Sequence, residues 1–327
     1  MRSPPLVRPR LHPHRSPRAR AGEPRPDALI AASLTPANRS NALVGMSGDG
    51  DCGCGGAAAT ESPSAHPIYI IGTIQARIPS QSVEMELAQI PDYTMPTGKP
   101  DSDPAMQRYL FDVLSNVQYL YIAREMCWVL QIQSIDSYIL QPATTDALLS
   151  CITALGAVRG AESIVRSVVV GQEGGTAPPG VCHNLTLPIG LVSDIYELDD
   201  RVMDNLIMDS TDAPDVLVAH ELYRKMLELA YNTGDDDSAR AINFVTTRFM
   251  GIYDKLYEMT HDNNFVLNGV SVRPSQVKGG RNLLDVIYTY LSADGSSPSQ
   301  QWYCTVDVTG EFPFLLRNYM LEYYYHA

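Results

Sequence analysis

The chain has 327 residues and a formal net charge of −13, and 45% of its residues are hydrophobic. This hydrophobic fraction is typical of a globular protein with a substantial core, and no apolar run approaches the roughly 18 residues that a membrane-spanning helix needs. Because residues 1–45 hold eight arginines and two acidic residues, the remainder carries a net charge of −19. Nucleic-acid phosphates are bound by clustered Lys and Arg, so we expect neither a nucleic-acid nor a membrane partner.

The N-terminal residues 1–65 are rich in Arg, Pro, Ser, Gly and Ala and hold few large apolar residues. Such a composition does not offset the entropy lost on ordering, so we predict a disordered leader and linker. An Arg-rich, acid-poor segment is also typical of a transit peptide, but the simpler interpretation is that the natural protein starts at Met46. We expect residues 66–327 to fold as one domain, with two subdomains, 66–196 and 197–327, as the alternative.

The first half of the folded region alternates predicted strands and helices. The β-rich run 68–72 precedes a helix that Ser80 caps, and Asp103-Pro104 is a typical start for the next helix. Apolar residues at steps of three and four predict that this helix continues for about five turns, from Met106 to Tyr121. The elements predicted after it are a hairpin of strands 127–133 and 137–141, a helix 144–155, a strand 163–170, a Gly- and Pro-rich loop 171–180 and an extended segment 185–196.

Residues 198–261 are predicted to be helical. One helix begins at Pro214 and ends at Gly234. A second helix carries apolar residues from Ile242 to Met259 at alternating steps of three and four, and we interpret this stripe of about two heptads as core packing of a helical hairpin rather than as a dimer zipper. The strands predicted to follow are 265–273, 283–291 and 301–308. Strands at both ends with helices between them predict an α+β fold, with a mainly antiparallel sheet packed by the helical hairpin and further helices.

Six cysteines are candidates for the core or for metal binding. Cys127, Cys151 and Cys304 lie in apolar sequence, which is typical of buried reduced thiols. We see no secretory signal, so we expect a reducing cytoplasm. Cys52 and Cys54 lie in a glycine-rich linker and supply at most two ligands, whereas zinc needs about four.

Cys182 and His183 follow two prolines and are the better metal candidates. Because neighbouring residues of an extended chain point to opposite faces, both cannot easily bind one ion, and Cys127 or Cys304 would complete the site. The sequence allows two roles for these three cysteines. They form either a zinc or thiol site or a structural part of the core. Cys182 with His183 or His220 is also a nucleophile–base pair in principle, but no Gly-rich helix start surrounds it.

Arg273 and Arg281 lie near predicted strand ends and are candidates for binding an acidic peptide, because a guanidinium binds carboxylates bidentately. The alternative, which the negative charge of the chain favours, is an ion pair with Asp285 or Asp307. Trp302 belongs to an aromatic C-terminal region that suits a peptide-binding surface or a homodimer contact. The same residues suit a packed strand equally well.

The sequence lacks the local motifs of a subtilisin-like protease. Such an enzyme needs an Asp, a His and a Ser placed for nucleophilic attack, and neither Gly-Thr-Ser nor His-Gly-Thr occurs. The string Asp307-Val308-Thr309-Gly310 is only superficially similar to a protease Asp motif. We therefore do not expect peptidase activity.

Three blocks of the chain, in their order and spacing, resemble one family. The blocks are 124–142, 177–185 and 306–315. They are similar to the domain of unknown function at the C-terminus of the cyanobactin maturation protease PatG and of related peptide-maturation proteins. The resemblance covers about residues 66–318, and it implies the accessory domain without the subtilisin-like protease domain that full-length PatG-type proteins carry upstream. In the family the positions of Cys127 and Cys182 are commonly Cys, which favours a Cys pair in any metal site.

The resemblance implies a role in the maturation of ribosomally synthesised, post-translationally modified peptides. The hypothesis that follows is a non-catalytic module that binds a precursor peptide or a maturation enzyme and acts by positioning. Two alternatives are a zinc- or thiol-dependent enzyme that acts on a peptide and a structural homodimer module.

Overall fold

The structure, a computed structural model, describes residues 66–156, 165–277, 279–316 and 321–324. They belong to one compact unit that spans Glu61–Ala327. The predicted leader 1–65, with Cys52 and Cys54, lies outside the described residues, as do the first two residues of the predicted strand 163–170.

The described residues form ten strands and eight α-helices, which confirms the predicted α+β class. The strands are β1 His66–Arg77, β2 Cys127–Ile132, β3 Ile135–Pro142, β4 Val165–Thr176, β5 Pro188–Asp199, β6 Phe265–Pro274, β7 Leu283–Ser292, β8 Gln300–Asp307, β9 Phe314–Leu315 and β10 Glu322–Tyr323. The helices are α1 Gln81–Ala88, α2 Pro104–Leu114, α3 Leu120–Glu125, α4 Thr145–Gly156, α5 Asp200–Ser210, α6 Val216–Leu229, α7 Asp237–Arg248 and α8 Gly251–Tyr257. Within the described ranges, no helix combines the length and the apolar character that crossing a membrane requires.

Strands β1 to β5 close into a barrel in the order β1-β2-β3-β5-β4. Every pair is antiparallel except β3 with β5, which run parallel with Ile139 opposite Ile189. The barrel has a core to which all five strands contribute, with Ile70, Leu130, Leu140, Val169 and Val192 among its members. Helices α1 to α4 also contribute side chains to this first core.

The remaining strands form a second sheet in the order β10-β8-β7-β6, and β9 also pairs with β8. All these pairs are antiparallel. One face of the sheet shares a second core with helices α5 to α8 and with β1 and β4 of the barrel. Alternate side chains of β7 lie together in this core, and they are Leu284, Val286, Tyr288 and Tyr290.

Strand β1 is buried on both faces, which explains why the run 68–71 is continuously apolar. Its side chains alternate between the first core and the second. The Tyr69 backbone also fixes the helices to the barrel, since its N–H donates to the Gly234 carbonyl at 3.0 Å and its carbonyl accepts from Asn243 Nδ2 at 2.8 Å. The loop between α6 and α7 is therefore fixed against β1.

Two predicted long helices are broken in the structure. The helix that begins at Pro104 ends at Leu114, because Asn116 has extended backbone angles and its side chain accepts from the Gln118 N–H to begin a separate short turn. The predicted second helix of the hairpin is split into α7 and α8, because Phe249 leaves the helical conformation with ψ 95°. The apolar stripe nonetheless packs into the second core. The loop predicted at 171–180 is also shorter, since β4 continues to Thr176.

Gly234 generates a test of the packing of the helices on the barrel. Its φ is +63°, and a Cβ at this position would lie 2.4 Å from the Tyr69 carbonyl oxygen. We expect Gly234→Ala to lower the free energy of unfolding by about 2–4 kcal/mol, because a left-handed non-glycine residue costs about 1–2 kcal/mol and the backbone clash adds to that cost. Urea denaturation measures the change.

Gly98 is the matched control for this prediction. It has a similar φ of +68°, but no atom lies within 4 Å of a Cβ added there. Gly98→Ala should therefore lower the free energy of unfolding only by the cost of the left-handed conformation. Equal losses in the two variants would contradict the account of the Gly234 contact with β1.

Candidate functional site

The outer edge of β6 carries unpaired backbone groups. β6 pairs with β7 on one side, and within the described part of the chain no strand pairs with its other side. The opposite edge of the sheet, on β8, is covered by β9 and β10. A free edge presents N–H and C=O groups that another extended chain can pair with.

The hydrogen-bonding pattern identifies which groups of β6 point outward. Ser275, next to the end of the strand, donates its N–H to a carbonyl of β7 at 2.8 Å. Since bonded and non-bonded residues alternate along an antiparallel ladder, Ser271 and Arg273 also bond to β7. Val270 and Val272 therefore direct their N–H and C=O groups away from the sheet.

Two further features of β6 are typical of an edge strand. Pro274 occupies an outward position, where a missing N–H removes no bond from the ladder. The register shifts between Leu267 and Gly269, which leaves Asn268 as an extra residue in a bulge. Arg273 is the one charged residue in the strand, so β6 has little of the charge that usually protects an edge from pairing.

The residues predicted to bind a peptide lie on opposite faces of the sheet. Arg273 is opposite Asp285, on the face away from the helices, and its Nη1 donates to the Tyr324 hydroxyl at 3.4 Å. Trp302 packs on the side of the second core, where the Lys255 ammonium lies 3.9 Å from the centre of its indole ring. The predicted residues therefore do not form one surface.

Arg281 makes an ion pair within the chain. Its guanidinium pairs with Asp307, whose side chain is fully buried. The guanidinium carbon also lies 4.9 Å from the ring centre of Phe314. This is the internal ion pair that the sequence offered as the alternative to peptide binding.

The corner that follows β8 is fixed by the buried side chain of Arg240. Its Nη1 donates to the Val308 carbonyl at 3.0 Å and to the Asp237 carboxylate at 2.8 Å. Its Nη2 donates to the carbonyls of Gly310 and Glu311. Burial lowers the pKa of the Arg240 guanidinium, and these acceptors compensate the buried charge. The block 306–315 is thus a structural corner that links α7 to the second sheet.

We expect Arg240→Met to lower the free energy of unfolding by about 2–4 kcal/mol, because the buried Val308 carbonyl loses its donor. Urea denaturation measures the loss. Lys225, whose Nζ lies 3.3 Å from Glu221 at the surface of α6, provides the control. Lys225→Met should change the free energy by less than about 1 kcal/mol, and an equally small effect of Arg240→Met would contradict the structural role of the corner.

Two of the cysteines proposed as zinc ligands are bonded to each other. Cys127 and Cys182 form a disulfide with their Cα atoms 5.4 Å apart, in a small third core beneath the loop 177–187. This contradicts the expectation of a reduced Cys127. Cys304 lies in the second core, so the structure does not bring the three thiols together. Bonded cysteines supply no thiolate ligand, and the described residues contain no group of three His, Cys, Asp or Glu side chains that could hold a metal ion.

The free cysteines of the described region are buried. Burial raises the pKa of the Cys151 thiol to about 12 and raises the pKa of the Cys304 thiol far above its ordinary value. A thiol must ionise to act as a nucleophile, so both are structural. His220, considered as a base for Cys182, instead has its Nδ1 3.0 Å from the Asp204 carboxylate.

A cleft of about 600 Å³ opens beside the disulfide. It is lined by residues from 124–128, 139–148 and 180–182 together with Pro79. Two of the sequence blocks that carry the family resemblance thus meet at this cleft. Arg124, Gln141 and Thr144 contribute its polar lining, but no described thiol there is free to act as a nucleophile.

Comparison with known proteins found a solved structure with a similar fold and a family model that matches the C-terminal part of the chain. A solved structure described as "PatG Domain of Unknown Function" is similar over 80% of this chain and 100% of that chain, with a TM-score of 0.62 and 15% sequence identity. Residues 209–320 match the family model described as PatG C-terminal. The family resemblance is therefore shown for residues 209–320. No curated protein matches it.

The free edge lies inside the part of the chain that the family model matches, whereas the disulfide and its cleft lie before residue 209. Sequence reasoning missed the outward positions of Val270 and Val272. The available signal was Pro274, because proline in a strand indicates an edge. Nothing in the sequence indicated that Arg240 is buried, because a single arginine near the polar start of a helix is ordinarily exposed.

Proposed function

We propose that this PatG C-terminal domain is a non-catalytic accessory module in the maturation of ribosomally synthesised, post-translationally modified, cyanobactin-like peptides. It binds an extended segment of a precursor peptide, or of a partner enzyme, as an added strand on β6. The observation that carries the proposal is the unpaired edge of β6. The module positions its partner for another enzyme and works in the cytoplasm, where such precursors are made.

Strand addition uses the groups that β6 leaves free. Main-chain hydrogen bonds to the edge supply affinity, and contacts with alternate side chains supply specificity. The ten residues of β6 offer an edge of about 33 Å, at about 3.3 Å per residue. Exposed Arg273 lies near one end of this edge, so we expect the bound segment to place an acidic side chain there.

The state of the cysteines favours binding over catalysis. Cys127 and Cys182 are bonded to each other. The free thiols of the described residues, Cys151 and Cys304, are buried. A zinc or thiol enzyme would need accessible thiolates, and none of these four cysteines offers one.

The test is binding of a fluorescein-labelled extended peptide that carries an acidic residue, measured by fluorescence anisotropy. We expect Val272→Pro to weaken binding at least tenfold, because it removes an outward N–H donor while keeping every bond between β6 and β7. Val272→Thr keeps the N–H and is the matched control, which we expect to bind like the unaltered protein. Thermal unfolding of both variants verifies that the sheet is intact.

Two results would contradict the proposal. Equal peptide affinity in the folded Val272→Pro and Val272→Thr variants would place the binding site away from the β6 edge. A concentration-dependent mass that Val272→Pro abolishes, without peptide binding by the unaltered protein, would show that β6 pairs with a second copy of this chain. The structural homodimer would then replace the peptide-binding module.

A further inference from the structure

The loop 177–187 separates two clefts. The cleft of about 600 Å³ lies on the side of Cys182, and a second cleft of about 750 Å³ lies on the side of His183. Pro79 lines the first cleft and its neighbour Ile78 lines the second. Where the loop meets this segment, His183 Nε2–H donates to the Ile78 carbonyl. The loop is therefore the wall between the clefts.

The backbone of this wall is held in an unfavourable conformation. Cys182, His183 and Asn184 have φ values of 48°, 57° and 62°. Non-glycine residues rarely adopt the left-handed conformation, and three in succession are costly. Hydrogen bonds within the loop, such as that from the Asn184 N–H to the Val181 carbonyl at 3.0 Å, offset part of this cost, and the contacts of the loop with the barrel offset the rest.

The loop is linked covalently to the barrel by the bond between its Cys182 and Cys127 of β2. The third core beneath it is small, and its buried members are Cys127, Val129, Ile139, Ala177, Cys182 and Ile189. The strands under the loop also belong to the closed barrel and to its separate first core. Loss of the covalent bond therefore frees the loop without opening the barrel.

We propose that the Cys127–Cys182 disulfide is a redox switch that controls the wall between the two clefts. The oxidised form keeps the clefts apart, and reduction releases the loop so that they join into one groove. The reductant is a dithiol, which transfers two electrons and two protons and becomes a disulfide itself, and the S–S bond of the protein is replaced by the Cys127 and Cys182 thiols.

The surroundings of the disulfide suit such an exchange. Both cysteines line the first cleft, so a small dithiol approaches the disulfide from that side. The free cysteines of the described residues, Cys151 and Cys304, lie in the two other cores and do not compete for the bond. A disulfide in a cytoplasmic protein is usually transient or redox-sensing, which agrees with a switch in the proposed compartment.

The experiment is hydrogen–deuterium exchange, followed by mass spectrometry, of the full chain before and after reduction with dithiothreitol. We expect exchange in 177–187 to rise at least tenfold on reduction and to return on reoxidation, while exchange in β1 and β7 stays the same. The Cys127→Ser/Cys182→Ser double variant should show the fast exchange without reductant and should not respond to it. His183→Ala in the oxidised protein removes the contact with Ile78 but keeps the disulfide, so its loop should stay slower than that of the reduced protein.

Three results would overturn the switch. Unchanged exchange in 177–187 after complete reduction would show that the small core alone holds the wall. Faster exchange throughout the barrel would show that the bond is a structural support of the fold. Free thiols at Cys127 and Cys182 in the air-oxidised protein, found by alkylation and peptide mapping, would show that the bond does not form.

Discussion

The fold depends on the burial of β1 on both of its faces. One face belongs to the barrel core, and the other requires a cover that α7 provides. The Tyr69 hydroxyl forms a hydrogen bond with Thr247 Oγ1 of α7 at 2.9 Å, and burial raises the pKa of Tyr69 well above its ordinary value. The same helix carries Arg240, which fixes the corner after β8. One strand thereby determines where the second sheet, and with it the free edge of β6, is placed.

The proposed functions use different parts of this framework. The edge of β6 belongs to the second sheet and offers backbone groups to an extended chain, whereas the loop 177–187 lies on the barrel and separates two clefts. The similar solved structure, at 15% identity, shows the fold alone. The proposed functions therefore depend on this chain's own edge strand and on its disulfide. They also depend on the state of the described cysteines, which are either disulfide-bonded or buried.

Local patterns were enough to predict most elements but not their long-range pairing. Ser80 and Thr144 correctly marked helix starts, because a capping side chain bonds to a backbone N–H within the first turn of its own helix. Closure of the barrel requires the parallel pairing of β3 with β5, which no local period encodes. The Cys127–Cys182 bond joins residues 55 positions apart and depends on the same pairing. The break after Arg248 also escaped prediction, because the apolar spacing continues across it.

Residue-resolved amide exchange by nuclear magnetic resonance tests most directly whether β6 is an open edge. If the edge is open, the amides of Val270 and Val272 exchange quickly in the free protein, whereas those of Ser271 and Arg273, which bond to β7, exchange slowly. Uniformly slow exchange across these four residues at all protein concentrations would show that another part of the chain covers the edge. The edge would then be unavailable to a peptide, and the account of the module would be contradicted.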